Sequence, residues 1–203
     1  MRNVFTFWEG EMPGYIKLCM DTWQIPFTVL NYNNLKDYTD LQIEPLQQYS
    51  LMLISDVVRV HVLRDHGGYW IDADTIMLTD QLPDANIVGD PSNRENSIGF
   101  LYTEPHSKMF TEWAKFQAEI ISRNDAPHIW SMFGNAFTDA YVRDHTDITI
   151  FPTDNVWPET YMIRDDIHRR YKYTQLYFER QYSLSQFKQT DILMLHNSWT
   201  PKW

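Results

Sequence analysis

Apolar residues in this chain recur at two spacings, and the switches between them mark its elements. Short apolar or β-branched runs bounded by turn residues predict strands at 3–8, 26–31, 69–71, 75–78, 86–89, 97–102, 148–151 and 191–195. Recurrence three and four residues apart predicts helices. The first starts near Pro13, with Ile16, Met20 and Trp23 on one face. The second runs from Pro45 to about His66. The third spans 107–123 on Met109, Phe110, Trp113, Phe116 and Ile120, and the fourth spans 128–142 on Trp130, Phe133, Phe137 and Tyr141. Residues 33–40 and 90–96 are polar and read as loops. Residues 153–173 are irregular, and 174–188 fit either helix or loop. A strand–helix–strand opening predicts an α/β protein with a parallel, doubly wound sheet.

The stretch from Ser55 to Asp74 organises the rest. Ile54, Val57, Val58, Val60 and Leu63 form a helical stripe, Gly67 and Gly68 predict a left-handed cap, and Tyr69-Trp70-Ile71 reads as a buried strand. Asp56 lies roughly 16 Å of helix before Gly67. The return from Gly68 to Asp72 covers roughly 13 Å of strand. A chain that doubles back there brings Asp56 and Arg59 level with Asp72 and Asp74. Asp56 and Arg59, three apart, share a helix face. Acids gathered at a strand end call for a cation, and hard oxygen donors select Mg²⁺ or Mn²⁺.

Composition narrows the chemistry. A net charge of -10 argues against wrapping nucleic acid and against a polybasic membrane anchor. A diphosphate can still bind if a divalent metal offsets the local acids. No Gly-x-Gly-x-x-Gly follows the first strand and no Gly-Lys-Ser/Thr loop occurs, which disfavours dinucleotides and P-loop chemistry. The lone Cys19 reads as a small buried hydrophobe. No apolar run has the length of a membrane span and the first residues are not a signal peptide, so the expectation is a cytoplasmic protein. The 203 residues suit a single domain, and the end at Trp203, just after a motif, suggests the first domain of a longer chain. Eight Trp and twelve Tyr exceed what a core needs, and such aromatics either line sugar sites or stiffen the core.

The pattern Ser-Asp-x-x-Arg-x-x-x-Leu-x-x-x-Gly-Gly-x-Trp-x-Asp-x-Asp at 55–74 resembles the DxD-containing sugar transferases. These include the capsular-polysaccharide and mannosyltransferase group and the glucosylating bacterial toxins. In its compact size the chain is also similar to the N-terminal domain of a large chlorella-virus glycosyltransferase. The resemblance implies a GT-A fold, a Rossmann-like, mixed and mostly parallel sheet flanked by helices. It implies one domain over 1–203, with a nucleotide-sugar half at 1–102. An acceptor half and a C-terminal donor-closing segment would occupy 103–203. It implies a nucleotide-sugar donor, UDP-sugar first and GDP-sugar next, a glycan or glycoconjugate acceptor, Mn²⁺ or Mg²⁺, and retention of anomeric configuration.

By the same resemblance Asp74 ligates the metal, and Asp72 contacts the metal, its bound water or the ribose. Asp56 and Arg59 hold sugar hydroxyls. Trp70, where the family more usually has tyrosine, lies near sugar and ribose. Trp8 stacks on the nucleobase, its other reading being strand-end core. His196 or Asn197 completes the metal shell, and Ser198 and Trp199 contact the diphosphate. Gly134 and Thr138 are small enough to face an acceptor. Two other classes fit part of the pattern: a metal-dependent phosphohydrolase built on the same acids, and a non-catalytic carbohydrate-binding module built on the aromatics.

Overall fold

The computed structural model describes residues 2–90, 95–123, 129–156 and 191–194. In chain order the elements are β1 (Val4–Phe7), α1 (Gly14–Met20), β2 (Thr28–Leu30), α2 (Leu51–His66), β3 (Gly68–Ile71), β4 (Thr75–Met77), β5 (Ile87–Asp90), β6 (Glu95–Thr103), α3 (Lys108–Arg123), α4 (Asn135–Asp144), β7 (Ile150–Pro152) and β8 (Ile192–Met194). The chain divides into two compact units. One takes Met1–Met12, Pro26–Asp72 and Pro83–Phe151, and the other Pro13–Ile25, Ala73–Leu82 and the described residues from Pro152 onward.

The first unit holds a six-stranded sheet in the order β2-β1-β3-β6-β5-β7. β2 and β3 both pair parallel to β1. β6 runs against β3, and β5 runs against β6 and so returns to the direction of the first three. The fold is therefore the expected mixed α/β class with a mostly parallel central sheet and helices packed on it. β1 and β3 are buried at every residue, as strands covered on both faces must be. α2 packs on β1, β3 and β6 and against α3, while α4 packs on β6. Enclosed in this way, α2 is buried continuously from Leu53 to Leu63 except at Ser55, and the burial takes in Asp56, Arg59 and His61.

Three local expectations are corrected. The long helix begins at Leu51 rather than Pro45, because the Ser50 side chain accepts from the Leu53 amide as an N-cap; Glu44–Leu46 is a separate 3-10 turn. Gly67 ends α2 at φ 60, ψ −167, a glycine-only extended conformation in place of a left-handed helical cap. Gly68 follows at φ +92, and a Cβ there would lie 2.3 Å from the Asn3 carbonyl oxygen. The Tyr69 amide donates to that oxygen at 2.8 Å, so the close approach is what seats β3 beside β1. The fourth helix starts at Asn135 rather than residue 128, because Gly134, at φ −114 and ψ −99, leaves the helical path. The residues before it form turns closed by Met132 N–H to the Ile129 carbonyl and Gly134 N–H to the Ser131 carbonyl, both 3.1 Å.

In the second unit β4 and β8 pair antiparallel, Thr75 opposite Met194. α1 lies on β4, with its buried Ile16, Cys19 and Met20. The Trp23 indole N–H donates to the Thr75 carbonyl at 2.7 Å, and the Met77 amide donates to Thr22 Oγ1 at 2.9 Å. Among the described residues no helix is long and apolar enough to cross a membrane.

Candidate active site

Parallel strands β1, β2 and β3 point their C-terminal ends the same way, and Trp8 and Asp72 stand just past two of those ends. Such strand ends are where open α/β sheets bind ligands. The α2–Gly67–Gly68–β3 reversal brings together three of the four residues expected to converge, Asp56, Arg59 and Asp72. Arg59 Nη2 lies 2.9 Å from Asp56 Oδ1 and 3.3 Å from Asp72 Oδ1.

Arg59 is the hub of this group. Nη1 donates to the Ile98 carbonyl at 2.6 Å, Nε to the Ser55 carbonyl at 3.3 Å, and Nη2 also to Ser55 Oγ at 3.3 Å. Its guanidinium carbon sits 5.1 Å from the centre of the Trp70 ring. The side chains of Arg59 and Asp56 are 5% and 7% exposed, whereas that of Asp72 is 32% exposed. Asp72 is thus the carboxylate this group presents outward. Trp70 is fully buried, and its indole N–H donates to Asp72 Oδ1 at 2.8 Å. With both acids ionised, the two carboxylates and one guanidinium leave a net negative charge beside Asp72. Burial pushes the Asp56 carboxyl up to about 7, the Arg59 guanidinium opposing and the Asp72 charge adding.

Trp8 is half-buried; its indole N–H donates to the Glu11 carbonyl at 3.3 Å and its amide to the Leu30 carbonyl at 3.0 Å. The neighbouring Glu9 carboxylate accepts from the Tyr32 amide at 2.8 Å, tying the turn after β1 to the loop after β2. Asp74 belongs to the second unit and is buried. There its charge adds to burial in raising the Tyr15 phenol to about 12 and in raising the Cys19 thiol. His196, Asn197, Ser198 and Trp199 lie outside the described residues.

One member of the site escaped the sequence reading. Gln117 is fully buried on α3, and its single Nε2 donates to the Asp56 carbonyl at 2.9 Å and to the Phe133 carbonyl at 2.8 Å. The available signal was its place four residues after Trp113, on a stripe otherwise apolar. Gly134 is the other close neighbour. A Cβ there would come 3.5 Å from Asp56 Oδ2 and 2.3 Å from Ile98 Cδ1.

The family model of capsular polysaccharide synthesis proteins matches residues 1–195. The chain belongs to this family. In this capsular polysaccharide synthesis protein the matched span contains Trp8, Asp56, Arg59, Trp70, Asp72 and Asp74 and stops one residue before His196. Membership supports glycosyl transfer in polysaccharide synthesis as the function. Among solved structures, one titled PaToxG Glycosyltransferase is similar at 13% sequence identity with a TM-score of 0.46, over 92% of this chain and 78% of that one. No curated protein matches the chain.

Proposed function

We propose that this protein transfers a hexose from a nucleotide-diphosphate donor, UDP-sugar first, to a hydroxyl of a glycan or glycoconjugate, with retention of configuration. The observation that carries the reading is the buried Asp56–Arg59 pair holding Asp72 at the end of β3, in a member of a polysaccharide-synthesis family.

Each residue has a stated task. Trp8, past the end of β1, offers an indole face to the nucleobase, where stacking is worth about 1–3 kcal/mol. Asp56 and Arg59 direct hydrogen bonds to sugar hydroxyls, and Arg59 also fixes Asp72 through a charge-assisted contact. Trp70 donates to the same carboxylate oxygen. Asp72 is a hard oxygen donor beside a net negative charge, Asp74 is a second one two residues on in the sequence, and carboxylate donors of this kind suit Mn²⁺ or Mg²⁺. They would hold the cation with His196 or Asn197, Ser198 and Trp199 contacting the diphosphate. When bound, such a cation would supply Lewis-acid stabilisation to a diphosphate leaving group.

Calorimetric titration of UDP and GDP, each with and without Mn²⁺, tests the reading. One nucleotide is expected to bind only with metal. Asp74→Ala should abolish that binding without unfolding the protein, and Trp8→Ala should weaken it by about 1–3 kcal/mol. Metal-independent binding, or unchanged affinity in Asp74→Ala, overturns the metal assignment. Failure of both nucleotides to bind overturns the donor.

A further inference from the structure

We infer that Trp130 is a stacking platform for the acceptor, a neutral sugar ring of a glycan chain; this rests on the transferase reading above. Trp130 is 66% exposed, the most exposed of the large hydrophobic residues described. An indole so placed gains nothing from the core. Its π face is electron-rich and attracts the C–H dipoles of a sugar's apolar face.

The residues that follow Trp130 are held by hydrogen bonds that also reach Asp56. The Phe133 carbonyl accepts from the Trp113 indole at 2.7 Å as well as from Gln117, and the Phe133 ring meets Tyr49 edge-on at 5.0 Å. The Gln117 nitrogen that holds Phe133 also holds the backbone of Asp56. Gly134, four residues after Trp130, lies against the Asp56 carboxylate. A platform on this turn is therefore coupled to the residue assigned to the transferred sugar through two hydrogen bonds donated by one side-chain amide.

The surroundings select the ligand class. The run Ile129–Thr138 contains no charged side chain, so it offers no ion pair to a phosphate or a uronate. Ser131, the next residue, supplies a hydroxyl, a group that pairs with sugar hydroxyls, whereas the Asn135 amide is already donating to the Asn96 carbonyl at 2.8 Å.

The test follows the Trp130 indole N–H by NMR in the full chain, assigned by its loss in Trp130→Phe. Cellotetraose, maltotetraose and mannotetraose are the probes. At least one should shift that signal, and its Kd should rise at least tenfold in Trp130→Ala but less than threefold in Trp130→Phe, which keeps a π face. UDP or GDP affinity with Mn²⁺ should be the same in all three proteins. No shift with any probe, an equal Kd in Trp130→Ala, or a signal that moves on protein dilution, as under a second copy, overturns the platform. Loss of nucleotide binding with sugar binding intact overturns the transferase reading and leaves the platform standing.

Discussion

Arg59 carries more of the site than any other side chain, because it neutralises one buried acid and aims a second. Its removal in Arg59→Ala leaves Asp56 unpaired in the interior, and urea melts should show a loss of about 3–5 kcal/mol. The double variant Asp56→Leu with Arg59→Met should recover most of that loss, because no charge is then left buried, yet still fail to bind nucleotide. His61 lies two residues further along the same helix, and neither ring nitrogen has a hydrogen-bond partner among the described residues. Burial lowers it from 6.5 to about 4, Arg64 also lowering and Asp65 and Asp40 raising. A base with a depressed folded pKa contributes stability that is full above 6.5 and lost as the pH falls toward about 4. Relative to His61→Leu, the native protein should lose about 2–3 kcal/mol between pH 7.5 and 4.5 in urea melts. Asp56, Arg59 and Asp72 were legible as a cluster because helix and strand rise are fixed lengths. The direction each side chain faces was not legible: the burial of Trp70 and the double hydrogen bond of Gln117 depend on what α3 and β6 lay against them.

The reversal at Gly67–Gly68 is the element on which the site's register turns. Gly68 combines a positive φ with a Cβ position blocked by backbone, which no side-chain movement relieves. Gly68→Ala should cost more than about 4 kcal/mol or prevent folding. Gly10, at φ +84 with open space around it, is the control, and Gly10→Ala should cost about 1 kcal/mol. Comparative thermal melts separate the two. The glycine pair was visible in the sequence, but its conformation was not, since Pro105 crowds Gly67 and Asn3 crowds Gly68, each from far away along the chain. Element boundaries slipped for the same reason. Apolar spacing continues through Trp130 and Phe133, while the backbone turns at Gly134 where Ile98 and Asp56 crowd it.

For the molecule as a whole the net charge of -10 opposes the approach of a nucleotide diphosphate. Raising salt from 20 to 200 mM should therefore speed nucleotide association about two- to fivefold in stopped-flow mixing, while binding of a neutral tetrasaccharide stays unchanged. The strand order adds a consequence in time. β1 is an interior strand, second from one edge of the sheet, but its partner β3 lies far along the chain, Val4 pairing with Tyr69. At about 5–20 residues per second a ribosome takes about 3–13 s to cover that distance. Until Tyr69 emerges, Val-Phe-Thr-Phe exposes an apolar edge open to strand addition, so chaperone capture or pairing with a sibling nascent chain is decided in those seconds.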